Sequence, residues 1–328
     1  MPDKIKSITK GTVQRKRFGE SVFQTVSAGT VLHDGDRLKT SPDAVVTLKC
    51  GNTTEPTVPK GTETPVRRLC IKPVTMGGTN PQIPFIISPL DTQILTDKPT
   101  LRWNRATGAN SFTVTLHNGE LEWTLEVKRE QVCQGNVCEL IYPENKPGLQ
   151  PGVSYTLVVK ADTNRQSTED ISPGFTTLSK EEAEEVRAIA KQIEAENLPA
   201  IEKRIKVAEY YADHNLIAEA IEILEGIAKT EKSIAVYLRI GVLYSSIGLI
   251  RKAEVAYNEA IELPKVAENT QELAAVKVGL GEVKFELNDK KEAVRLLEEA
   301  KADYEKLGDA QRVEELQERI DEISVIND

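Results

Sequence analysis

The sequence predicts a multidomain β-plus-α protein: a small all-β domain, a β-sandwich, then an α–α superhelix of repeats. Three observations carry that reading. Short apolar/polar alternations broken by Gly, Pro and Asp fill the first half of the 328 residues, as in AVVTLKC (44–50) and SFTVTLHNGELEWTLEV (111–127). The halves differ in charge: residues 179–328 hold 33 acidic against 21 basic side chains, whereas residues 1–178 hold 18 against 21. In the second half small residues recur at a fixed spacing, Ala208, Gly241 and Gly281 each being followed twelve positions later by Ala220, Ala253 and Ala293.

The first domain is expected over residues 1–72. Its centre, GTVLHDGDRLKTSPDAVVTLKCGN, resembles the FecR-like domain through Gly29, Leu32, Gly35, Asp36, Leu38, Thr40 and the strand Val45 to Leu48. Gly35 permits a turn, with Leu32 and Leu38 pointing inward on either side of it. Asp34 and Asp36 lack the spacing and terminal Glu of a calcium loop and read as turn residues. The run Arg15-Lys16-Arg17 reads as a solvated strand edge rather than a phosphate site. The resemblance implies an extracytoplasmic protein. The iron-responsive regulators of that family also carry a membrane helix and a cytoplasmic segment, neither of which stands in this sequence.

Cysteine placement points the same way. Cys50 and Cys70 lie almost symmetrically about Lys60-Gly61, and Cys133 and Cys138 flank a hairpin turn at Gly135-Asn136, closed by Gln134 and Val137. Two local disulfides are expected, Cys50–Cys70 and Cys133–Cys138, with inert thiols or a metal site as the alternatives. Zinc sites favour tighter pairs with converging histidines, and His33, His117 and His214 are scattered. Bridges imply an oxidising, periplasmic or otherwise extracytoplasmic setting. The opening MPDKIKSITK has no apolar core of a signal peptide, so the expected export segment is not in this chain.

A Gly- and Pro-rich linker (73–84) leads to a sandwich over 85–178, with Asn118-Gly119 as a hairpin turn between Phe112, Val114, Leu116 and Leu121, Trp123, Leu125. LQPGVSYTLVVKA resembles the tyrosine corner of fibronectin type III and immunoglobulin-like domains, which implies Tyr155 as the corner residue and Trp103 as the core tryptophan. Trp123 is expected in the core, a sugar-stacking role being the alternative.

From Ser179, three residues before Glu182 in a capping box, the chain is expected to stay helical and to fold without the rest. VYLRIGVLYSSIGLIRKAEVAYNEAIEL resembles a tetratricopeptide repeat, with Tyr237, Ile240, Gly241, Tyr244, Ala253, Tyr257 and Ala260 at the packing positions. Three repeats are expected at about 201–233, 234–267 and 274–307, flanked by helices at 180–197 and 309–323, the last break falling at Gly308-Asp309. Ile227 replaces a small residue in the first copy, Lys284 an aromatic in the third, and the second step is lengthened near PKVAENTQE.

Carried over from that family, the groove positions are Glu202, Ile205, Glu209 and Ala212 in the first copy, Ala235, Leu238, Val242 and Ser245 in the second, and Ala275, Val278, Glu282 and Phe285 in the third. This implies an interaction scaffold whose groove takes an apolar or amphipathic protein segment of basic character, anchored on Leu238, Val242 and Phe285 and oriented by Glu209 and Glu282. A FecR-like envelope sensor and a wall-glycan binder are the competing readings. Nucleic acid is disfavoured by the acidic half, and no run reaches the 18 apolar residues of a membrane span. No enzyme, cofactor or metal is expected: Gly279 and Gly281 imitate a dinucleotide loop but sit in a helical context, and no Walker, nucleophile-elbow or zinc-protease motif is present. Peptide mapping without reduction should recover both expected disulfides, and four alkylatable thiols would remove them.

Overall fold

Period-two stretches of the first half pair into four small sheets, and period-3.6 stretches of the second half form long helices. The computed structural model describes residues 3–16, 23–32, 37–50, 54–70, 80–169, 174–264 and 270–325. Arg17, His33, Asp34, Gly35, Asp36, most of the expected linker and residues 265–269 lie outside the described residues. Chain contacts divide into two units, residues 1–74 with 178–220, and residues 75–177 with 221–328.

In the first unit β1 (Asp3–Lys10), β4 (Val31–Leu32) and β6 (Val45–Lys49) form one sheet, ordered β4-β1-β6. A second, β3-β2-β5-β7, joins β2 (Val13–Lys16), β3 (Gln24–Thr25), β5 (Arg37–Thr40) and β7 (Glu63–Pro65). Both close on one apolar core that includes Ile5, Val13, Leu32, Leu38, Val46, Leu48, Val58 and Val66. Arg15 is not on an edge, since β2 is paired there on both sides, with Gln24 of β3 and Leu38 of β5.

Cys50 and Cys70 are bridged, with Cα atoms 5.3 Å apart, but not by the expected hairpin about Lys60-Gly61. The chain turns back earlier: Cys50 N–H donates to Thr54 O, Leu48 N–H to Pro56 O and Val58 N–H to Val46 O. Burying Val58 against β6 and turning again at Gly61 sends β7 to β5, and the short helix α1 (Val66–Leu69) then delivers Cys70. The pairing was legible and its route was not.

The second unit opens with two facing sheets. One is β13-β14-β10-β8, from β8 (Ile86–Ser88), β10 (Leu101–Asn104), β13 (Cys133–Gln134) and β14 (Val137–Leu140). The other is β12-β11-β15-β16-β9, from β9 (Gln93–Ile94), β11 (Ser111–His117), β12 (Glu122–Lys128), β15 (Ser154–Ala161) and β16 (Phe175–Thr177). Trp103 on β10 meets Phe112 on β11 edge-to-face at 5.6 Å, both fully buried, a geometry that adds about 0.5–1.5 kcal/mol to the area buried. Tyr155 is buried, its hydroxyl accepting from Gln150 N–H at 2.8 Å. A short helix α2 (Arg129–Val132) leads into the Cys133–Cys138 bridge, whose residues face each other across the Gly135-Asn136 turn.

One expectation for the sandwich changes and one alternative is removed. The β11–β12 loop has four residues rather than two, because Asn118 Oδ1 accepts from the N–H groups of both Glu120 and Leu121 and holds Leu121 in the turn. Trp123 offers no open ring to a sugar: it is 5% exposed, donates to Tyr142 Oη at 3.0 Å and lies edge-on to that ring.

The helices of the first unit are α3 (Lys180–Glu194) and α4 (Ala200–Asp213). Ser179 and Glu182 close the capping box reciprocally at the start of α3. Next, α5 (Ile217–Ala228) crosses the division, and α6 (Ile234–Ser246), α7 (Ile250–Ile261), α8 (Thr270–Glu286), α9 (Lys290–Leu307) and α10 (Ala310–Val325) complete the second unit. Gly308, at φ 74°, ends α9 in the left-handed region.

Alternate helices of the second unit pack through glycine. A Cβ built on Gly241 of α6 would stand 2.4 Å from the Tyr257 ring of α7, and one on Gly279 of α8 would stand 2.5 Å from it. Tyr257 is thus wedged between two helices that can approach only because both lack a side chain there. Gly281 admits Leu297 of α9 in the same way. The apparent dinucleotide loop is this packing. Lys284, where the resemblance implies an aromatic, reaches back to α7 and pairs with Glu254 at 2.7 Å.

Gly279→Ala should therefore destabilise the protein by about 1–3 kcal/mol through overpacking, although the same change in an open helix stabilises by about 1 kcal/mol. Urea unfolding checks the sign, and adding Tyr257→Leu should recover part of the loss.

Candidate functional site

The expected groove positions recur at helical spacing on three helices, and each helix places them differently. On α6, Gly241 and Leu243 are buried while Val242 between them is 41% exposed, because Gly241 must face Tyr257 and the helix then turns Val242 outward. Leu238 one turn earlier is half-buried, as are Ala235 and Ser245. The α6 face is thus an aliphatic stripe flanked by small side chains.

On α8 the same positions are covered by another helix. Val278 and Phe285 pack with Leu297, Tyr304, Leu316, Ile320 and Ile323, so that α10 lies against them. The Arg319 guanidinium stacks over the Phe285 ring at 4.7 Å and grips the Glu282 carboxylate through two nitrogens of one edge, Nε and Nη2, at 2.9 and 2.8 Å. Its remaining nitrogen donates to Glu322. Glu282 is therefore neutralised within the chain, and Phe285, expected as an anchor, is an internal packing residue. Sequence reasoning missed Arg319 because it lies beyond the last repeat. The cue available was its i,i+3 partner Glu322 on an amphipathic helix whose apolar side is Val313, Leu316, Ile320 and Ile323. The outer side of α10 is exposed and polar through Glu314, Gln317, Glu318 and Asp321, as a capping helix should be.

Beside this face, Glu254 is held below its ordinary range. Burial raises it, but hydrogen bonds from Lys284 and Arg251 outweigh that effect. Across α8 and α9, Lys277 binds Asp303 at 2.6 Å and lies 3.4 Å from Glu299. The charged residues between these helices are thus tied to one another.

On α4, in the other unit, Glu202 is exposed, and Ile205, Glu209 and Ala212 are half-buried. Burial, aided by the charge of Glu209, pushes the Asp213 carboxyl up to about 9. Near it, Tyr210 and His214 rings lie 4.2 Å apart, and burial with Glu185 pushes the Tyr210 hydroxyl up to about 12.

Among the described residues, a geometric triad suited to a cation is Asp3 with Cys50 and Cys70, but the sulfurs are bridged and offer no thiolate. No described helix is long and apolar enough to cross a membrane.

No family model matches the chain, and no curated protein is similar to it. Among solved structures, MamA is similar at 21% identity over 43% of this chain and 88% of its own, with a TM-score of 0.30. PcrH, solved in complex with the chaperone binding region of PopD, is 14% identical over 46% of this chain and 97% of its own, with a TM-score of 0.32. A putative kinesin light chain of nearly identical TPR-like repeats from Podosopora anserina is 20% identical over 45% of this chain and 88% of its own, with a TM-score of 0.29.

Asp213 generates a pH prediction. Its folded pKa lies above the unfolded value of 3.8, so the folded state keeps a proton that the unfolded chain releases. Its contribution falls as pH rises from about 4 toward 9. Asp213→Asn should raise the melting temperature at pH 8 and leave it nearly unchanged at pH 4, measured by thermal unfolding across that range.

Proposed function

We propose that the protein is a non-enzymatic, extracytoplasmic interaction scaffold whose helical repeats capture an apolar segment of a protein partner on α6. The observation that carries this reading is Val242, an aliphatic side chain 41% exposed on a helix whose adjacent residues are buried. With Leu238 it offers two anchors one turn apart, and Ala235 and Ser245 leave room for a backbone beside them. The surplus of carboxylates in residues 179–328 favours a partner with basic flanks. Since Glu282 is already held by Arg319, that preference rests on the whole acidic surface rather than on this residue.

The setting is supported by the two disulfides and by the fully consumed cysteine set. A FecR-like first segment is supported by Leu32 and Leu38, the two signature leucines, at 3% and 0% exposure. An immunoglobulin-like second segment is supported by Trp103 and by the Tyr155 corner. On this reading the β segments position the protein in the envelope and the helices recruit.

A photo-crosslinking residue at Val242 in the native host is expected to trap a discrete partner. The attached peptide should be apolar with Lys or Arg nearby. Leu238→Ser with Val242→Ser should lose a partner so identified while leaving helicity unchanged. Retention of that partner by the double variant would overturn the α6 assignment.

A further inference from the structure

The sandwich and the helices of the second unit share one half-buried charged knot. Arg102, on β10, extends from the sandwich and donates to Glu225 of α5 at 2.9 Å, the two side chains being 20% and 25% exposed. The other Glu225 oxygen accepts from the Tyr244 hydroxyl of α6 at 2.5 Å. Lys252 of α7 stands 5.3 Å over the Tyr244 ring, completing a cluster drawn from four elements. One more charge faces Arg102, Glu139 of β14 at 3.7 Å, and it is 56% exposed and therefore screened by water.

The charge balance of this knot is lopsided. Among the described residues, two half-buried cations, Arg102 and Lys252, share one half-buried anion, Glu225. Removing the anion's charge would leave two like charges facing each other out of water, and breaking one side of a buried pair costs far more than an exposed pair contributes. Moving Arg102 away from Lys252 relieves that conflict, and loosening the contact between β10 and α5 is one way to do so.

We propose that Arg102, Glu225, Tyr244 and Lys252 form an acid-released latch that holds the sandwich on the helical repeats and lets go when Glu225 takes up a proton. The inference is independent of what α6 binds. Burial raises the Glu225 carboxyl, but Arg102, the Tyr244 hydroxyl and Lys252 outweigh burial and hold it below its ordinary value of 4.5. A depressed carboxylate contributes above its unfolded pKa and is lost as pH falls through the folded one, so the latch is closed at neutral pH and opens below 4.5. A chain beginning at Ser179 would lack Arg102 and leave Glu225 with Tyr244 and Lys252 alone, so the helical half is not independent of the sandwich at this point.

The test uses the full chain. Its four cysteines are bridged, so Glu126→Cys on β12 and Glu298→Cys on α9, both exposed, can be spin-labelled selectively. At pH 7.5 the labelled protein should give one narrow distance distribution. Glu225→Gln, which carries the neutral side chain permanently, should broaden or split it at that pH, while Arg102→Lys, which keeps the charge, should not. A folded Glu225→Gln variant with the parent's narrow distribution overturns the proposal. Should that variant fail to fold, acid titration of the labelled parent decides: broadening below pH 4.5 with helicity retained supports the latch, and a distance unchanged until helicity is lost overturns it.

Discussion

The helical half depends on how closely the backbone of α6 and of α8 approaches the Tyr257 ring. No side chain fits at Gly241 or Gly279, so the phenol acts as a wedge that sets the rotation of both helices. Every outward position follows from that rotation. With Gly241 turned to the ring, Val242 must face the other way and Leu243 must be buried. The exposed aliphatic stripe is therefore a geometric consequence of the packing rather than a separate feature added to it.

Charge organisation is the second constraint. A helical half with a large carboxylate surplus would repel itself unless its buried and half-buried groups were paired. Pairing is local to each interface: Lys284 with Glu254 between α7 and α8, Lys277 with Asp303 between α8 and α9, Arg319 with Glu282 between α8 and α10, and Arg102 with Glu225 between sandwich and repeat. Each tie joins different helices or domains and so fixes a contact that apolar packing alone would leave free to slide. Lys284, at a position where an aromatic is expected, forms instead an ion pair with a partner thirty residues away.

The candidate site was partly legible. The repeat spacing located Leu238 and Val242 on one face, because helical period and small-residue spacing are local properties. It could not tell that Phe285 and Glu282 would be engaged by Arg319, since that contact joins residues 34 and 37 positions apart, on a helix outside the repeat pattern. Nor could it find Arg102, whose partner lies 123 residues on. The first segment shows the same limit, for the symmetry that paired Cys50 with Cys70 was real while the hairpin inferred from it was not.

By itself the sequence determined the alternation that makes the sheets, the helical repeat, the capping box at Ser179 and which cysteines pair. All of these are fixed by period, turn chemistry or short separation. Tertiary structure alone decided that β2 is an interior strand, that Trp123 is closed to a sugar, that α10 covers Phe285 and that a sandwich arginine neutralises a repeat glutamate. Those outcomes depend on which surfaces meet, and burial between distant segments selects among arrangements that local propensity leaves equal in energy.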